Sequence, residues 1–280
     1  MKIFRYFKDL SIELLKQIAQ GDTVGFVPTM GALHEGHLSL IHQSKILTGI
    51  TVCSIFVNPE QFNNREDFLK YPSTLESDIH LLKKQKCDYL FLPDENEIYP
   101  DENAKNKHFD LGYLETILEG AFRPGHFQGV ALVIERLLSQ IDPDFIFLGQ
   151  KDFQQCMVVN KVVEIMHSKT KVIACPIIRE NSGLAMSSRN MRLTSEEKQK
   201  AAELFQSLQF IKNNLGQHGF PELRDEAVGR LQTEGFNVEY IAMANSKSLQ
   251  LTDTFTQDDK NVLLIAAFLG KVRLIDNLIV

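Results

Sequence analysis

A chain of 280 residues, 44% hydrophobic and 24% charged, has the length and apolar content for one large domain or for a larger and a smaller one. Its net charge of −6 and the lack of a long basic run argue against nonspecific nucleic-acid binding, which depends on Lys and Arg neutralising phosphates. Cysteines 53, 87, 156 and 175 stand far apart with no C-x-x-C pair, which argues against zinc knuckles and a disulfide framework. Cys53 and Cys175 sit in apolar runs and read as small core residues. The N-terminal residues are interrupted by charges, and no apolar run approaches the roughly 18 residues of a membrane span, so a cytoplasmic protein is expected.

In chain order, residues 11–20 read as a first helix with Leu14, Leu15 and Ile18 on one side. Residues 24–28 read as a short buried strand. A turn punctuated by Pro28 and Gly31 follows, and His34-Glu35-Gly36-His37 opens a helix carrying Leu38, Ile41 and Leu47. A strand feeding a helix start through a glycine turn makes an anion site, because the first helical N–H groups lack partners and the macrodipole adds positive charge there. Two imidazoles three residues apart can face one phosphate chain, and Gly36 removes a side chain between them. A zinc helix would space its histidines i and i+4 and needs a third ligand; neither condition is met. Two plain surface histidines remain the alternative.

Residues 49–57 form a near-continuous apolar run, typical of a parallel strand buried on both faces. It ends in Asn58-Pro59-Glu60-Gln61-Phe62, a polar loop where ligands sit in open α/β sheets. The Gln61 amide can donate to a carboxylate or hydroxyl and accept from an amine. Residues 63–71 are polar, a candidate lid. Ser73-Thr74-Leu75-Glu76 fits a capping box ahead of a helix carrying Leu75, Ile79 and Leu82, with Asp78 as a solvated helix charge. Residues 88–92 read as a third strand and 94–107 as loop. Arg123 and His126 lie in a turn-rich loop before a helix over residues 130–140. A fourth strand, residues 145–148, runs into Gly149-Gln150-Lys151-Asp152, with a helix to about residue 167. Lys151 is a compact cation suited to phosphate, and Asp152 can accept ribose hydroxyls. A fifth strand, residues 171–178, leads to Met186-Ser187-Ser188-Arg189, whose guanidinium and hydroxyls suit a triphosphate. Ser187 lacks the G-x-S-x-G pattern of a hydrolase nucleophile. Beyond residue 192 a capped helix to about residue 215, a second helix over 222–234 and short strands at 238–242, 262–267 and 272–274 form an α+β tail.

The stretch PTMGALHEGH resembles the HxGH signature of the nucleotidylyltransferase superfamily, and at this length it resembles the pantoate–β-alanine ligase (pantothenate synthetase) family. FVNPEQF, RPGHFQGV, GQKDFQQ and GLAMSSRN are similar to further motifs of that family, in its order. GQKDFQQ departs at Gln150, where the family usually carries Glu. The resemblance implies an α/β fold: a Rossmann-like parallel sheet with helices on both faces over residues 1–180, plus a smaller α+β lid domain over 181–280. It implies an ATP-dependent, AMP-forming ligase that joins pantoate to β-alanine through a pantoyl adenylate. It also implies ATP contacts from Met30, Gly31, Ala32, Leu33, His34, Glu35, Gly36, His37, Gly149, Gln150, Lys151, Asp152, Ile178, Met186, Ser187, Ser188 and Arg189. His34, His37, Lys151 and Arg189 then carry the catalytic charge neutralisation, Gln61 and Gln155 bind pantoate, and Gln61 also binds β-alanine. Magnesium is expected to arrive with ATP, with no dedicated protein metal site; Asp78 on its helix could approach it, with a solvated helix charge as the preferred reading. A homodimer is implied, with no nucleic-acid or membrane partner. HxGH alone leaves open a transferase with a phosphate acceptor and a noncatalytic nucleotide-binding regulator.

Overall fold

The computed structural model describes residues 1–256, 258 and 260–280, and at residue 102 the backbone alone. The chain forms two compact units, Met1–Gln150 with Gln154–Pro176, and Lys151–Phe153 with Ile177–Val280.

Six parallel strands carry the first unit: β1 Lys2–Phe4, β2 Val24–Thr29, β3 Ile50–Ile55, β4 Tyr89–Phe91, β5 Phe145–Gly149 and β6 Lys171–Cys175. Their order is β1-β4-β3-β2-β5-β6. From β2 the chain steps outward through β3 to β4, then returns to the other side of β2 for β5 and β6, so the order reverses between β2 and β5. Ligands of doubly wound sheets bind beyond the carboxyl ends of the strands at such a reversal.

Helices α1 Phe7–Ile18, α2 Glu35–Leu47, α3 Arg65–Leu69, α4 Leu75–Lys84, α5 Glu95–Ile98, α6 Leu118–Phe122, α7 His126–Ile141 and α8 Phe153–Ile165 make the connections. Leu90 of β4 packs with Leu40 and Ile41 of α2 and Leu82 of α4, around Val27, Cys53 and Phe147. The next residue, Phe91, turns to the opposite face, where its ring centroid lies 4.6 Å from that of Phe7 on α1. Helices therefore cover both faces, and β2 and β3 are buried almost throughout. Helix α2 lies close on β2 at Gly25, where an added Cβ would stand 2.2 Å from Ser44 Oγ.

The pairing of β2 with β5 stops early. It is confined to Gly25 with Phe145 and Phe26 with Ile146, whereas β5 pairs with β6 as far as Gly149. Along β2, the carbonyls of Thr23 and Thr29 accept from Ile50 and Phe56 on the β3 side, and that of Val24 accepts from Asp144 on the β5 side. Alternation directs the nitrogen of Pro28 toward β5, beyond the last pair. Proline, which has no N–H to give, sits where no ladder bond exists.

Several elements depart from the sequence expectation. Strand β1, three residues at the sheet edge, has too short an apolar pattern to stand out. Helix α1 starts at Phe7 and buries Phe7, Leu10 and Leu14, while Leu15 is 66% exposed and Ile18 40% exposed. Successive helical residues point about 100° apart, and on α1 the packed stripe takes in Leu14 but not Leu15. Leu47, expected on the buried side of α2, is exposed. Residues 63–71 contain α3, capped by Asn64, whose Oδ1 accepts from Glu66 and Asp67 N–H groups. Phe62 meets Phe68 and Tyr71 edge-on at 5.3 and 5.8 Å. No capping box forms at α4: Thr74 is the N-cap and its hydroxyl donates to Asp78 instead. All four cysteines are buried. Burial pushes the Cys53 thiol well up, Cys87 to about 12 and Cys175 to about 11, which leaves them protonated and inert at neutral pH.

The second unit packs helices α9 Ser195–Ala201, α10 Glu203–Asn214 and α11 Phe220–Thr233 against three antiparallel strands, β7 Phe236–Asn245, β8 Asn261–Leu269 and β9 Val272–Ile279. The single helix expected to run to about residue 215 is two helices joined at Ala202. Thr194 and Glu197 form a capping box at the start of α9, with Thr194 N–H donating to Glu197 at 2.8 Å and Glu197 N–H to Thr194 at 3.2 Å. The strands extend beyond the expected segments because both neighbours of β8 pair along its full length. Arg179 donates to both carboxylate oxygens of buried Asp276, at 2.6 and 2.9 Å, and stacks 3.6 Å over the Phe205 ring. Asp276→Ala leaves that guanidinium without its counter-charge and is expected to cost about 3 kcal/mol of stability, read as a lower denaturant midpoint.

Candidate active site

The segment from Met30 to His37 leaves the carboxyl end of β2 at the sheet's reversal. It turns through two left-handed residues, Gly31 at φ 80° and Ala32 at φ 50°. The amides that follow are handed to side chains one after another. Ala32 N–H donates to Asp78 Oδ2 and Leu33 N–H to Asp78 Oδ1, both at 2.9 Å. His34 is the N-cap of α2: Gly36 N–H donates to its Nδ1 at 3.1 Å, while His34 N–H donates to His37 Nδ1 at 3.3 Å. The two imidazoles cap the helix reciprocally, in the manner that Ser/Thr and Glu usually do. Their ring centroids lie 4.1 Å apart.

This geometry sets the tautomers. Each Nδ1 accepts a backbone N–H, so in the neutral ring the proton sits on Nε2. The helix start therefore presents imidazole Nε2–H donors together with its dipole, and the sequence expectation of bare backbone amides is revised in detail. The amides of Ala32 and Leu33 are bound internally to Asp78. Asp78 itself, expected to be a solvated charge, is 1% exposed. Its position in the first turn of α4 was visible in the sequence, but its partner, 45 residues away, was not.

Gln61 ends a 3₁₀ turn, Pro59–Gln61, at the carboxyl side of β3. Buried Asn58 orients it. Asn58 Nδ2 donates to Gln61 Oε1 at 3.1 Å and to Gly129 O at 3.0 Å, while its Oδ1 accepts from Tyr99 Oη–H at 2.9 Å and Glu60 N–H at 3.3 Å. With all four contacts made, the Asn58 amide has one consistent orientation. Burial pushes the Tyr99 hydroxyl up, so it stays a donor. The Gln61 oxygen is thus held by Asn58, and its amide nitrogen faces Met30 Sδ at 3.3 Å, a weak acceptor. Gln61 presents a donor, and the expected acceptance from an amine is left to one remaining lone pair. Its backbone is braced too: His126 Nδ1 lies 2.7 Å from Gln61 O, and Arg123 Nη1 lies 3.0 Å from His126 Nε2. Since guanidinium only donates, His126 Nε2 accepts and Nδ1–H donates to the carbonyl. His126 thus acts on Gln61 and is buried. Helix α7 approaches this turn at Gly129, where a Cβ would stand 2.1 Å from Glu60 O.

Asn58 and Tyr99 were not singled out by sequence. The available signal was Asn58 before Pro59, a capping residue for a turn. Of the paired glutamines on α8, Gln154 is buried and structural, bonding Leu114 O, Ile117 O and Glu119 N, whereas Gln155 is half-buried.

In the second unit, Lys151 and Asp152 lie in the 3₁₀ turn Gln150–Asp152 after β5. Asn277 Nδ2 on β9 holds Lys151 O at 2.9 Å. Residues 178–186 form a tight hairpin in which Met186 N–H donates to Ile178 O at 3.0 Å. A cavity of about 520 Å³ opens beside it, lined in part by Met186, Arg179 and Lys198. Ser187 caps the 3₁₀ helix Ser188–Arg192, accepting from Arg189 N–H at 3.3 Å. Ser188 is buried. Asn190 anchors the segment by donating to Ala185 O at 3.0 Å and Glu180 Oε1 at 3.2 Å. Among the described residues, no group of three or more His, Cys, Asp or Glu side chains is placed to hold a metal ion, and no helix is long and apolar enough to cross a membrane.

Comparison with known proteins agrees along the whole chain. Residues 2–279 match the pantoate-beta-alanine ligase family. A pantothenate synthetase from Cytophaga hutchinsonii is 44% identical over 276 residues, 98% of this chain and 97% of its own. One from Bacteroides thetaiotaomicron is 40% identical over 99% of this chain and 98% of its own. The crystal structure of pantothenate synthetase from Thermus thermophilus superposes with a TM-score of 0.91 at 36% identity, covering 99% of each chain. That of the Francisella tularensis pantoate-beta-alanine ligase, complexed with beta-gamma ATP and beta-alanine, superposes with a TM-score of 0.80 at 37% identity, covering 99% of this chain and 97% of its own. With the imidazole-capped helix at the reversal of a doubly wound sheet and full-length matches in both sequence and structure, the chain belongs to the pantoate–β-alanine ligase family.

Proposed function

We propose that this ligase forms pantothenate from pantoate and β-alanine in two steps, with ATP taken as its magnesium complex. In the first, a pantoate carboxylate oxygen attacks the α-phosphorus of ATP, the bond from that phosphorus to the α,β-bridging oxygen breaks, and pyrophosphate leaves. In the second, the β-alanine amine attacks the acyl carbon of pantoyl adenylate, the acyl–oxygen bond breaks, AMP leaves and the amine gives up a proton. Adenylation replaces a poor leaving group with a good one.

The observation that carries this reading is the reciprocal imidazole cap of α2. It supports His34 and His37 as Nε2–H donors to phosphate oxygens, where negative charge builds in the first step. The main-chain segment Met30 to His37 follows the nucleotide, with Ala32 and Leu33 contributing shape, since Asp78 holds their amides. Gln61 offers its amide nitrogen to pantoate and lies at the β-alanine subsite. Gln155 completes the pantoate contacts. Resemblance assigns Gly149, Gln150, Lys151, Asp152, Ile178 and Met186 to the nucleotide and Ser187, Ser188 and Arg189 to its phosphates, with Lys151 and Arg189 neutralising charge. By the same resemblance, residues 1–180 bind nucleotide and pantoate, residues 181–280 act as a lid domain, and the enzyme works as a cytoplasmic homodimer. The relative complexed with beta-gamma ATP and beta-alanine supports the substrate pair.

Pantoate-dependent exchange of pyrophosphate into ATP tests the first step, and AMP release on adding β-alanine tests the second. Exchange that ignores pantoate defeats the reading. His37→Ala is expected to lower single-turnover adenylation by about 100-fold or more with the fold intact by circular dichroism; a loss of only a few-fold removes His37 from that role. Gln61→Ala is expected to raise KM for pantoate and β-alanine by about tenfold while ATP binding changes little, and Tyr99→Phe, which frees Asn58, is expected to give a smaller effect of the same kind. A larger change toward ATP than toward the small substrates refutes the Gln61 assignment.

A further inference from the structure

Asp78 is a buried carboxylate that the two-step reaction does not use. It lies 1% exposed on α4 and receives three hydrogen bonds: from Ala32 N–H and Leu33 N–H at 2.9 Å each, and from Thr74 Oγ1–H at 3.0 Å. The two amides are consecutive and lie in the turn made by the left-handed residues Gly31 and Ala32. Successive N–H groups in such a conformation converge to form an anion-binding nest. Here the protein supplies the anion itself. Ala32 is held at φ 50°, a conformation in which its Cβ crowds the carbonyl and which an L residue rarely adopts unless something holds it. Gly31 beside it is also left-handed and crowded, as a Cβ would stand 3.1 Å from both Asp78 Oδ2 and Ile55 Cγ2. One residue after the nest, His34 begins the imidazole cap.

We infer that Asp78 is a positioning residue for ATP: its carboxylate pins the amides of Ala32 and Leu33, holds Ala32 left-handed, and so sets where His34 and His37 stand. It does not touch substrate. This rests on the function proposed above. The arrangement also explains why an acidic side chain is tolerated behind a phosphate site: its charge is directed into two amides and a hydroxyl on the far side of the turn. An amide at position 78 cannot replace it. Asn accepts one backbone N–H with its oxygen, but its NH₂ then faces the other N–H, donor against donor.

The tests are pantoate-dependent pyrophosphate exchange and the overall reaction with β-alanine, both on Asp78→Asn with wild type run alongside. Failure of wild type to respond to pantoate defeats the functional reading and not this one. With wild type active, Asp78→Asn is expected to lower kcat/KM for ATP by about 100-fold, the scale of a misplacement near 1 Å, while KM for pantoate and β-alanine stays within about twofold. Adding Ala32→Gly to Asp78→Asn is expected to recover about tenfold, because glycine adopts the left-handed turn without being held there. A role confined to core stability predicts no such recovery and an even loss across substrates. If Asp78→Asn does not fold, Thr74→Val removes only the third hydrogen bond and is expected to cost about fivefold in kcat/KM for ATP. Wild-type kinetics in Asp78→Asn, an even loss across the three substrates, a double variant no better than Asp78→Asn, or an unchanged Thr74→Val overturns the assignment.

Discussion

Between residues 32 and 37 the backbone leaves a strand, reverses and enters a helix, and every such passage strands N–H groups without partners. Three acceptors resolve most of that deficit: one carboxylate and two imidazole nitrogens. The choice of imidazole matters. A serine or glutamate cap would satisfy the same amides and end there, whereas an imidazole that accepts through Nδ1 keeps a second nitrogen, protonated and directed elsewhere. On the function proposed above, one side chain would serve both capping and ligand recognition, and the local stability of α2 is tied to the orientation of its imidazoles.

Gln61 is held by the same logic with different groups. Gln61 is fixed through its side-chain oxygen by Asn58 and through its backbone carbonyl by His126. Behind these stand Tyr99 and Arg123, each bonding the brace and not Gln61 itself. A glutamine on a three-residue turn would otherwise sample several rotamers, and each ordering event would fall on the binding step. The glycine at 129 lets α7 come close enough for its carbonyl to take part.

Much of this was legible in the sequence. Five of the core strands read as apolar runs, their doubly wound arrangement followed from the family resemblance, and His34, His37 and Gln61 stood out because chemistry-bearing residues fell at strand ends. What stayed hidden has a common cause. Asp78, Asn58 and Tyr99 take their meaning from partners 45, 71 and 41 residues away, at Leu33, Gly129 and Asn58 respectively, and local pattern carries no trace of such pairings. Asp78 shows this most plainly: an acidic residue in a first helical turn is ordinarily a solvated charge, and only the fold reveals the turn it holds. The misassigned face of α1 has a different origin, since Leu14 and Leu15 are equally apolar and only packing separates them.

Pro28 carries a consequence for how a ligand is met. Strand pairing spreads by successive N–H groups finding carbonyls, and proline withholds one at the place where β2 and β5 part. The ladder therefore lacks a donor at its next rung, which disfavours further zipping of the seam during folding or thermal breathing. The opening is thus written into the covalent chain, and on the function proposed above a nucleotide would meet it already formed.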